Sequence, residues 1–382
     1  MKRSRHRILT THVGSFVRPA GLREMASATE KDPGNRPAYD AALQAAITEA
    51  VRKQAEIGID IVNDGEFGKS SWAAYVLKRI SGFEIRPDQL RPLVWLGRDR
   101  ERFADFIAKE MPRVLTGAPT EACVGPIAYR DSASLAANIR MLKSALAAAN
   151  VEEGFLTAVA PASTAYDGVN EYYPSEKEYI YAIADALREE YQAIFRAGLI
   201  VQVDDAVLAN MYDHLVQSGP EHYRDWAELR VEALNHALAG IPEDRVRYHV
   251  CFGSWHVPHL ADAPLEAIVG LILKVCAGAY SIEAANPRHE HEWRVWENGK
   301  LPEGKVLIPG VVTHHTVTVE HPRLVADRIV RFARLVGREN VMAGTDCGFA
   351  QAEHIQRVPE AVMWEKLKSL VEGAAIASRE LW

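Results

Sequence analysis

The sequence predicts a (β/α)8 barrel, in which eight parallel strands alternate with helices and close into a ring, and three observations lead to this fold class. Short β-rich apolar runs alternate with long segments of helical periodicity, which is typical of a parallel sheet with helical crossovers. Eight such runs fit in 382 residues, the length of one barrel with an elaboration. Polar residues end most of the runs, where this fold places its chemistry.

The runs predicted as strands are short and apolar. In chain order they are Ile8–Gly14, Asp60–Glu66, Phe155–Pro161, Leu199–Asp205, Arg247–Gly253, Ala279–Ala285, Val306–Val312 and Asn340–Asp346. Other segments have the apolar spacing of amphipathic helices. These predicted helices are Tyr39–Ile57, Glu176–Ala197, Tyr223–Ala239, Leu265–Ala277, Pro322–Val336 and Pro359–Leu381.

Two stretches exceed this alternation. Residues 19–38 are rich in Gly, Pro and charged residues, so we expect a surface excursion after the first strand. Residues 68–150, between strands two and three, contain an extra strand or hairpin at Cys123–Tyr129 and a helix near Ser132–Ala149. We predict a single domain over residues 1–382, with 68–150 as an insertion packed on the barrel.

Charge and cysteine content disfavour several classes of protein. The chain has 44 Lys and Arg against 51 Asp and Glu, a net charge of -7, which disfavours nucleic acid and anionic membrane surfaces as partners. No apolar run reaches the roughly 20 residues of a membrane span, and Met1–Leu9 is not followed by the apolar region of a signal peptide. Four scattered cysteines predict free thiols, of which Cys123 and Cys276 are assigned to packing. We expect a cytoplasmic protein acting on small molecules, with a homo-oligomer left open.

Polar residues gather at the predicted strand ends. They are His12, Ser15, Asp64, Glu66, Asp204, Asp205, His249, Cys251, Glu283, His314, His315, Asp346 and Cys347. Charged side chains at the ends of buried strands are unfavourable unless they have partners. Because the strands of a barrel end at one face, these residues predict a functional site there.

Four of these residues predict a metal site. His249 and Cys251 are two residues apart on strand five, so their side chains point to the same side. Strand six contributes Glu283 and strand eight contributes Cys347. One nitrogen and two thiolate donors select zinc over hard cations, and a weakly bound carboxylate is the ligand that a substrate can displace. The alternatives are a core histidine at position 249 and an ion-paired carboxylate at position 283.

Zinc held by two thiolates favours transfer to sulfur over hydrolysis. Coordination removes the proton of a thiol, whose ordinary pKa is about 8.5, and leaves a thiolate that is nucleophilic at neutral pH. Two cysteinate ligands also cancel the charge of the ion, which weakens it as a Lewis acid. The residues therefore predict a zinc-dependent enzyme that transfers a methyl or alkyl group to a small thiol.

Seven short motifs are spread in order over most of the chain: Thr10–Phe16 (TTHVGSF), Asp64–Phe67 (DGEF), Gln202–Asp205 (QVDD), His249–Cys251 (HVC), Ser281–Glu283 (SIE), Gly310–His315 (GVVTHH) and Thr345–Gly348 (TDCG). With these motifs in this order, the chain resembles the cobalamin-independent methionine synthase superfamily, specifically the catalytic C-terminal barrel of its members. The resemblance implies a methyltransferase of the 5-methyltetrahydropteroyltriglutamate–homocysteine type. It implies zinc ligation by His249, Cys251, Glu283 and Cys347.

The resemblance also implies how the acceptor, most simply homocysteine, is bound. Val13, Gly14 and Ser15 would hold its carboxylate, while Glu66 and Asp204 would face its ammonium group. His315 takes the place of the family's proton-donating histidine, a role that suits imidazole near pH 7. A shift of one residue at this strand end would exchange His315 with His314.

The sequence departs from the family on the donor side. The two-barrel members have an N-terminal barrel that helps to hold folate, and 382 residues leave no room for one. The family's pterin motif, TGPVT, is replaced by TAVAP at residues 157–161. The donor is therefore open, and the alternative function is that of the short epoxyalkane:coenzyme M transferases, which open an epoxide with a zinc-bound thiolate. Candidates for a sulfonate site are Arg18, Lys69 and Arg288, and candidates for donor-pocket walls are Tyr172, Tyr173 and Trp255.

Three further classes of protein are alternatives to this interpretation. An amidohydrolase-like metal barrel needs His-x-His on strand one, but His12 is followed by Val13 and Gly14. A metal-free porphyrin decarboxylase on the same barrel would not need the His-Cys-Glu-Cys set. A metal assay therefore tests this alternative, because bound metal would argue against it. A non-catalytic zinc protein is disfavoured because His315 is present beside all four ligands.

Overall fold

Eight parallel strands form a barrel. The computed structural model describes residues 1–111, 115–166, 168–298, 301–352 and 355–382. Its strands are β1 (Leu9–Thr10), β2 (Ile61–Val62), β3 (Phe83–Arg91), β4 (Ala118–Cys123), β5 (Glu153–Val159), β6 (Val169–Asn170), β7 (Ile200–Asp205), β8 (Val246–Val250), β9 (Ala279–Ile282), β10 (Val306–Val312) and β11 (Met342–Thr345). The barrel consists of β1, β2, β5 and β7 to β11, and each of these strands overlaps one of the eight predicted runs.

The strands pair around the barrel in the order β1-β11-β10-β9-β8-β7-β5-β2, with every pair parallel. Hydrogen bonds between β1 and β2 and the residues next to them close the ring. The Asp60 N–H donates to the Thr10 carbonyl at 3.2 Å, and the Thr11 hydroxyl donates to the Ile61 carbonyl at 3.0 Å. The carboxyl ends of all eight strands thus share one face, and the predicted fold class is confirmed.

Helices cover the outside of the barrel. The described α-helices are Leu22–Lys31, Arg36–Ile57, Asp99–Arg102, Ala104–Glu110, Ser132–Ala147, Glu176–Arg196, Val207–Asn210, Tyr212–Val216, Pro220–Leu238, Leu265–Ile272, Val295–Asn298, Pro322–Val336 and Glu360–Leu381. All six predicted helices are present. None of the described helices is both long enough and apolar enough to cross a membrane.

Three local predictions need correction. The stretch 19–38, predicted as a surface excursion, contains the helix Leu22–Lys31. The apolar pattern did not indicate this helix, because Leu22 is its one buried residue. The extra strand predicted at Cys123–Tyr129 ends, as β4, at Cys123, since Gly125 and Pro126 follow. Cys276 lies beyond the end of its helix at Ile272 and is exposed, so it is not a packing residue.

Residues 68–150 contribute two strands to a three-stranded sheet, whose other strand, β6, lies beyond this stretch. Strands β3 and β4 are antiparallel, and β4 pairs in parallel with β6. Three side chains of this stretch donate hydrogen bonds to the buried Glu190 carboxylate on the helix Glu176–Arg196: the hydroxyls of Tyr75 and Tyr129, at 2.8 and 2.9 Å, and Arg79, at 3.2 Å. We interpret 68–150 as an insertion that these contacts attach to the barrel.

The interior of the barrel changes from apolar to polar toward the carboxyl ends. One buried layer consists of Leu9, Ile61, Phe155, Ile200, Ala279, Val306, Ile308 and Met342. Next to it lies Arg247, which is fully buried. Its guanidinium stacks on the Phe155 ring at 4.1 Å and donates to the Thr11 hydroxyl and the His12 carbonyl at 2.9 and 2.6 Å. The residues beyond this level form the candidate site.

Candidate active site

His249 and Cys251 share one side of β8 and its extension. His249 lies in β8, and Cys251 follows the last strand residue, Val250. The Cys251 N–H donates to the Asp205 carbonyl at 3.0 Å, which continues the pairing with β7. The extended backbone therefore places the two side chains on the same side, as their spacing predicts.

The end of β11 brings a second thiol to this pair. One ligand atom each from His249, Cys251 and Cys347 lies within 4.8 Å of the others. The Sγ atoms of the two cysteines are 3.5 Å apart, and both thiols are free. Tetrahedral zinc with ligands at 2.0–2.3 Å places ligand atoms roughly 3.3–3.8 Å apart, so the thiol separation matches.

The surroundings of His249 are compatible with a bound metal ion. Both ring nitrogens of His249 are buried and have no hydrogen-bond partner in the described part of the chain. A buried polar nitrogen without a partner is unfavourable by about 1–3 kcal/mol. Coordination of a metal by one of these nitrogens would remove that penalty, so the residues present fit a bound ion.

The two thiols do not hold their protons equally. A hydrogen bond from Cys347 lowers the pKa of Cys251 well below its ordinary value, against the opposing effect of burial, and the Gly253 N–H also donates to Sγ of Cys251 at 3.3 Å. The same hydrogen bond, followed by burial, raises the pKa of Cys347. The first proton is therefore lost at Cys251.

Glu283 lies beside this group but is not one of the three converging residues. It follows the last residue of β9, and its carboxylate accepts hydrogen bonds from the Phe252 N–H at 3.3 Å and the Asn286 amide at 3.1 Å. Burial, and then the charges of Asp346 and Cys251, raise its pKa well above the ordinary value. Ligation by Glu283 stays a prediction.

Two carboxylates form the acidic part of the site. Glu66 and Asp204 are 2% and 6% exposed, and Glu66 Oε2 has no hydrogen-bond partner among the described residues. Burial, and then the charge of Glu66, raise the pKa of Asp204 to about 7. Glu66 also has a backbone φ of 60°, a strained conformation that is typical of functional positions. An incoming ammonium group would relieve the repulsion between the two carboxylates.

The segment Val13–Ser15 packs against these carboxylates. A Cβ atom at Gly14 would lie 2.9 Å from Glu66 Oε1, so only glycine lets the backbone approach so closely. The Val13 N–H donates to the Thr345 hydroxyl at 3.3 Å, and the Ser15 hydroxyl donates to the Ala350 carbonyl. The segment is thus rigidly held at the wall of the site.

A cavity of about 230 Å³ connects these groups. From the predicted set it is lined by Val13, Ser15, Glu66, Asp204, Asp205, His249, Cys251, Trp255 and Cys347. Its other walls were not predicted from the sequence, and they include Trp72, Trp95, Met111, Tyr166, Ile355 and Arg357. Most of these lie in the 68–150 stretch or in loops after strands, and no sequence periodicity signals which loop side chains face a cavity.

Four histidines lie together near the cavity. His315 is 4.0 Å from His314, 5.2 Å from His259 and 6.0 Å from His256 between ring centroids. Burial, and then the charges of His259 and His256, lower the pKa of His315 to about 3, so its ring is neutral at pH 7. His314 is 0% exposed, whereas His315 is partly exposed. His315 is therefore the less buried of the two, and neither residue is among those that line the cavity.

His259 belongs to a buried chain of alternating charges. Its Nδ1 is 2.8 Å from Asp262 Oδ2, which is 2.9 Å from His289 Nε2, and His289 Nδ1 is 2.8 Å from Glu292 Oε2. The other nitrogen of His259 faces the Trp255 carbonyl at 2.9 Å. Because every one of these ring nitrogens faces an acceptor, both imidazoles are protonated. This chain of residues was not predicted from the sequence.

Several predicted strand-end residues have other partners. His12 pairs with Gln54 at 2.7 Å, and Asp205 accepts from the N–H groups that begin the helix Val207–Asn210. Asp64 accepts from the Glu66 N–H at 2.9 Å. Tyr172 is 51% exposed, and the Tyr173 hydroxyl accepts from the Ile127 N–H, so neither lines the cavity. These residues shape the loops around the site.

Comparisons with known proteins agree with the fold. The sequence profile of the family described as "Cobalamin-independent synthase, Catalytic domain" matches residues 8–89 and 115–374. A methionine synthase from Thermococcus kodakarensis is 24% identical over 381 residues, covering 97% of this chain and 94% of its own. One from Sulfolobus acidocaldarius is 23% identical over 375 residues, covering 97% and 93%.

A solved structure has the same architecture. The B12-independent methionine synthase of a Shewanella species, in complex with selenomethionine, superposes with a TM-score of 0.71 and 18% identity. The match covers 98% of this chain and 99% of that one. At this identity the likeness concerns the fold.

Proposed function

Because the chain belongs to the cobalamin-independent synthase family, as defined by its catalytic domain, we propose that it is a zinc-dependent transferase that moves a methyl or alkyl group to a small thiol, with homocysteine as the acceptor. One observation carries this proposal: His249, Cys251 and Cys347 converge within 4.8 Å at the wall of a cavity that also contains Glu66 and Asp204. A nitrogen–sulfur donor set and an ammonium site then lie within one small space.

The donor set determines which metal is proposed. One imidazole and two thiolates suit zinc, whereas calcium and magnesium prefer oxygen ligands. Glu283, adjacent to Phe252 through its hydrogen bond, would complete a fourth position that an incoming thiol can take. When bound, zinc would lower the pKa of the acceptor thiol and keep its sulfur nucleophilic at neutral pH.

The other side chains would bind and orient the acceptor. Glu66 and Asp204 would receive its ammonium group, and Val13, Gly14 and Ser15 would lie against its carboxylate. Because the Gly14 backbone packs directly on Glu66, the two parts of this site are positioned relative to each other. The aromatic walls Trp72, Trp95 and Trp255 would exclude water from the transfer.

His315 would assist the departure of the leaving group. A neutral imidazole still has an N–H group that donates to an atom on which negative charge develops. We expect His315→Gln to slow transfer from an epoxide, whose oxygen leaves as an alkoxide, by about 10²- to 10⁴-fold. Transfer from a sulfonium donor should change little, because its leaving thioether is neutral. The measurement is the rate of thioether formation with each donor.

The pH dependence separates this role from that of a cationic acid. With a pKa of about 3, His315 stays neutral above that pH, so the wild-type rate with an epoxide should not fall as the pH rises through 6.5. Equal losses for both donors in His315→Gln would contradict the assignment.

The direct test of the proposed function is turnover. Zinc-loaded protein is incubated with homocysteine or coenzyme M and a panel of donors: methylfolate mono- and polyglutamates, small epoxides and methylated thiols. We expect about one zinc per chain and thioether formation with homocysteine. Full activity in metal-free protein would refute the role of zinc. Turnover of epoxides with coenzyme M, and none with homocysteine, would replace the acceptor by the second candidate.

That second candidate, an epoxyalkane:coenzyme M transferase, is favoured by one observation. A sulfonate needs a cationic partner, and Arg357 lines the cavity together with both cysteines. The three cations named from the sequence are not available: Arg18 donates to backbone carbonyls, Lys69 donates to Thr157, and Arg288 is exposed and donates to the Leu260 carbonyl.

A further inference from the structure

Arg357 lines the cavity, and the proposed reaction with homocysteine gives it no role. It lies in the loop between β11 and the helix Glu360–Leu381, and it lines the same cavity as Cys251 and Cys347. The charges that act on its guanidinium, after burial, are those of Cys347 and Cys251. Arg357 and the two thiols thus share one cavity wall, where their charges interact.

Among the described residues, those that hold Arg357 in place lie on one side of it. Nε of Arg357 donates to Gln351 Oε1 at 2.9 Å, and its backbone N–H donates to the Phe349 carbonyl at 3.1 Å. In the portion of the chain that the structure describes, no Asp or Glu carboxylate forms an ion pair with Arg357, and its two terminal NH2 groups have no hydrogen-bond acceptor. A partly buried guanidinium in this state is a ready site for an anion.

The backbone connects Arg357 to the acceptor end of the site. The Phe349 carbonyl accepts from Arg357, and the Phe349 N–H donates to the Ser15 carbonyl at 2.7 Å. The three segments are thus adjacent. At Val13–Ser15 two donors are already engaged, by Thr345 and by the Ala350 carbonyl. That segment offers no formal charge, and among the described residues that line the cavity Arg357 is the arginine or lysine that can neutralise an anionic group bound there.

We propose that Arg357 binds the anionic group of the acceptor thiol and so restricts the acceptors to thiols that carry a carboxylate or a sulfonate. This inference rests on the proposed function, because it assumes that the acceptor sulfur lies at His249, Cys251 and Cys347. A guanidinium can bind either anion through two parallel N–H groups, which an ammonium group cannot. The aromatic and aliphatic walls, among them Trp95 and Ile355, strengthen this interaction by excluding water.

The test compares matched thiols on the zinc-loaded full chain by calorimetric titration. Mercaptopropionate and mercaptopropionamide have the same shape and differ in charge, and mercaptoethanesulfonate adds the sulfonate. In the wild type we expect both anionic thiols to bind about 10- to 100-fold more tightly than the amide. In Arg357→Gln the carboxylate-to-amide ratio should fall to about one, and Arg357→Lys should recover only part of it. Arg288→Gln, an exposed arginine outside the cavity, should keep the wild-type ratio.

Each contrary result has a distinct meaning. Equal binding of the acid and the amide by the wild type, or a ratio that survives Arg357→Gln, would refute this inference and leave the proposed function intact. Loss of zinc from Arg357→Gln with an unchanged ratio would also refute it, since Arg357 would then stabilise the cysteinates. Failure of every thiol to bind the zinc-loaded wild type would refute both the inference and the proposed function.

Discussion

Replacing Cys251 or Cys347 by Ser is expected to remove zinc from the protein and to abolish alkyl transfer. The hydroxyl keeps the shape of the thiol, and in Cys251→Ser the new oxygen can still accept from the Gly253 N–H that now donates to Sγ. It does not, however, form the thiolate that binds zinc. Loss of an outer-shell partner of a metal ligand weakens binding about 10- to 100-fold, so loss of a ligand should weaken it by at least about 100-fold.

The measurement is the zinc content after dialysis against a chelator, together with thioether formation. Cys276→Ser is the matched control, because Cys276 is a free and exposed thiol that lies outside the cavity. Its zinc content and activity should equal those of the wild type. Circular dichroism separates loss of metal from loss of fold. If Cys251→Ser and Cys347→Ser both retain one zinc at wild-type affinity, the metal centre lies elsewhere.

The convergence of His249, Cys251 and Cys347 could be predicted because it depends on strands. The two-residue spacing of His249 and Cys251 fixes their direction along any extended segment. Cys347 follows a strand of the same parallel sheet, so it must end at the same face. Glu283 also follows a strand, yet its carboxylate is directed to Phe252 and Asn286 in this structure. Strand position determines the face of the barrel, and it does not determine a side-chain rotamer.

The walls of the cavity could not be predicted, because they depend on loop paths. Trp95 and Trp255 are 160 residues apart in sequence, yet their rings are 4.1 Å apart between centroids. Neither residue lies in a periodic segment. Arg357 was not predicted for the same reason, and Arg18, Lys69 and Arg288 were chosen by loop position alone. Loop position indicates the end of the barrel that a residue occupies, but its partners follow from tertiary contacts.

The chain of alternating charges did leave a signal in the sequence. His259 and Asp262 are three residues apart, and so are His289 and Glu292, which is the spacing at which side chains on one turn can meet. Two such pairs in neighbouring loops indicate a shared network. The predicted site included only residues at strand ends, so these four loop residues were not among its members.

Asp262→Asn is expected to destabilise the protein by about 3–5 kcal/mol, because it removes one carboxylate from between two buried imidazolium groups. Asp262 Oδ2 lies 2.8 Å from His259 and 2.9 Å from His289. Asn has nearly the same shape, but its amide cannot neutralise either cation, and its NH2 group faces a ring N–H. The exposed pair Asp185–His236, at 2.6 Å, provides the control: Asp185→Asn should change the free energy of unfolding by less than about 0.5 kcal/mol.

The pH dependence of this loss has a definite sign. Burial alone would lower the pKa of His289, but its hydrogen bonds to Asp262 and Glu292 raise it from 6.5 to about 10. Its stabilising contribution is therefore fully present below pH 6.5 and is lost as the pH rises through about 10. Burial alone would raise the pKa of Asp262, but hydrogen bonds from His259 and His289 lower it below 3.8, so its contribution is lost only in acid.

The difference in unfolding free energy between wild type and Asp262→Asn should thus be largest between pH 3.8 and 6.5 and should shrink toward pH 10. Chemical denaturation of both proteins, once within pH 3.8–6.5 and once near pH 10, measures this difference in unfolding free energy. A difference that stays constant would show that Asp262 acts by shape alone.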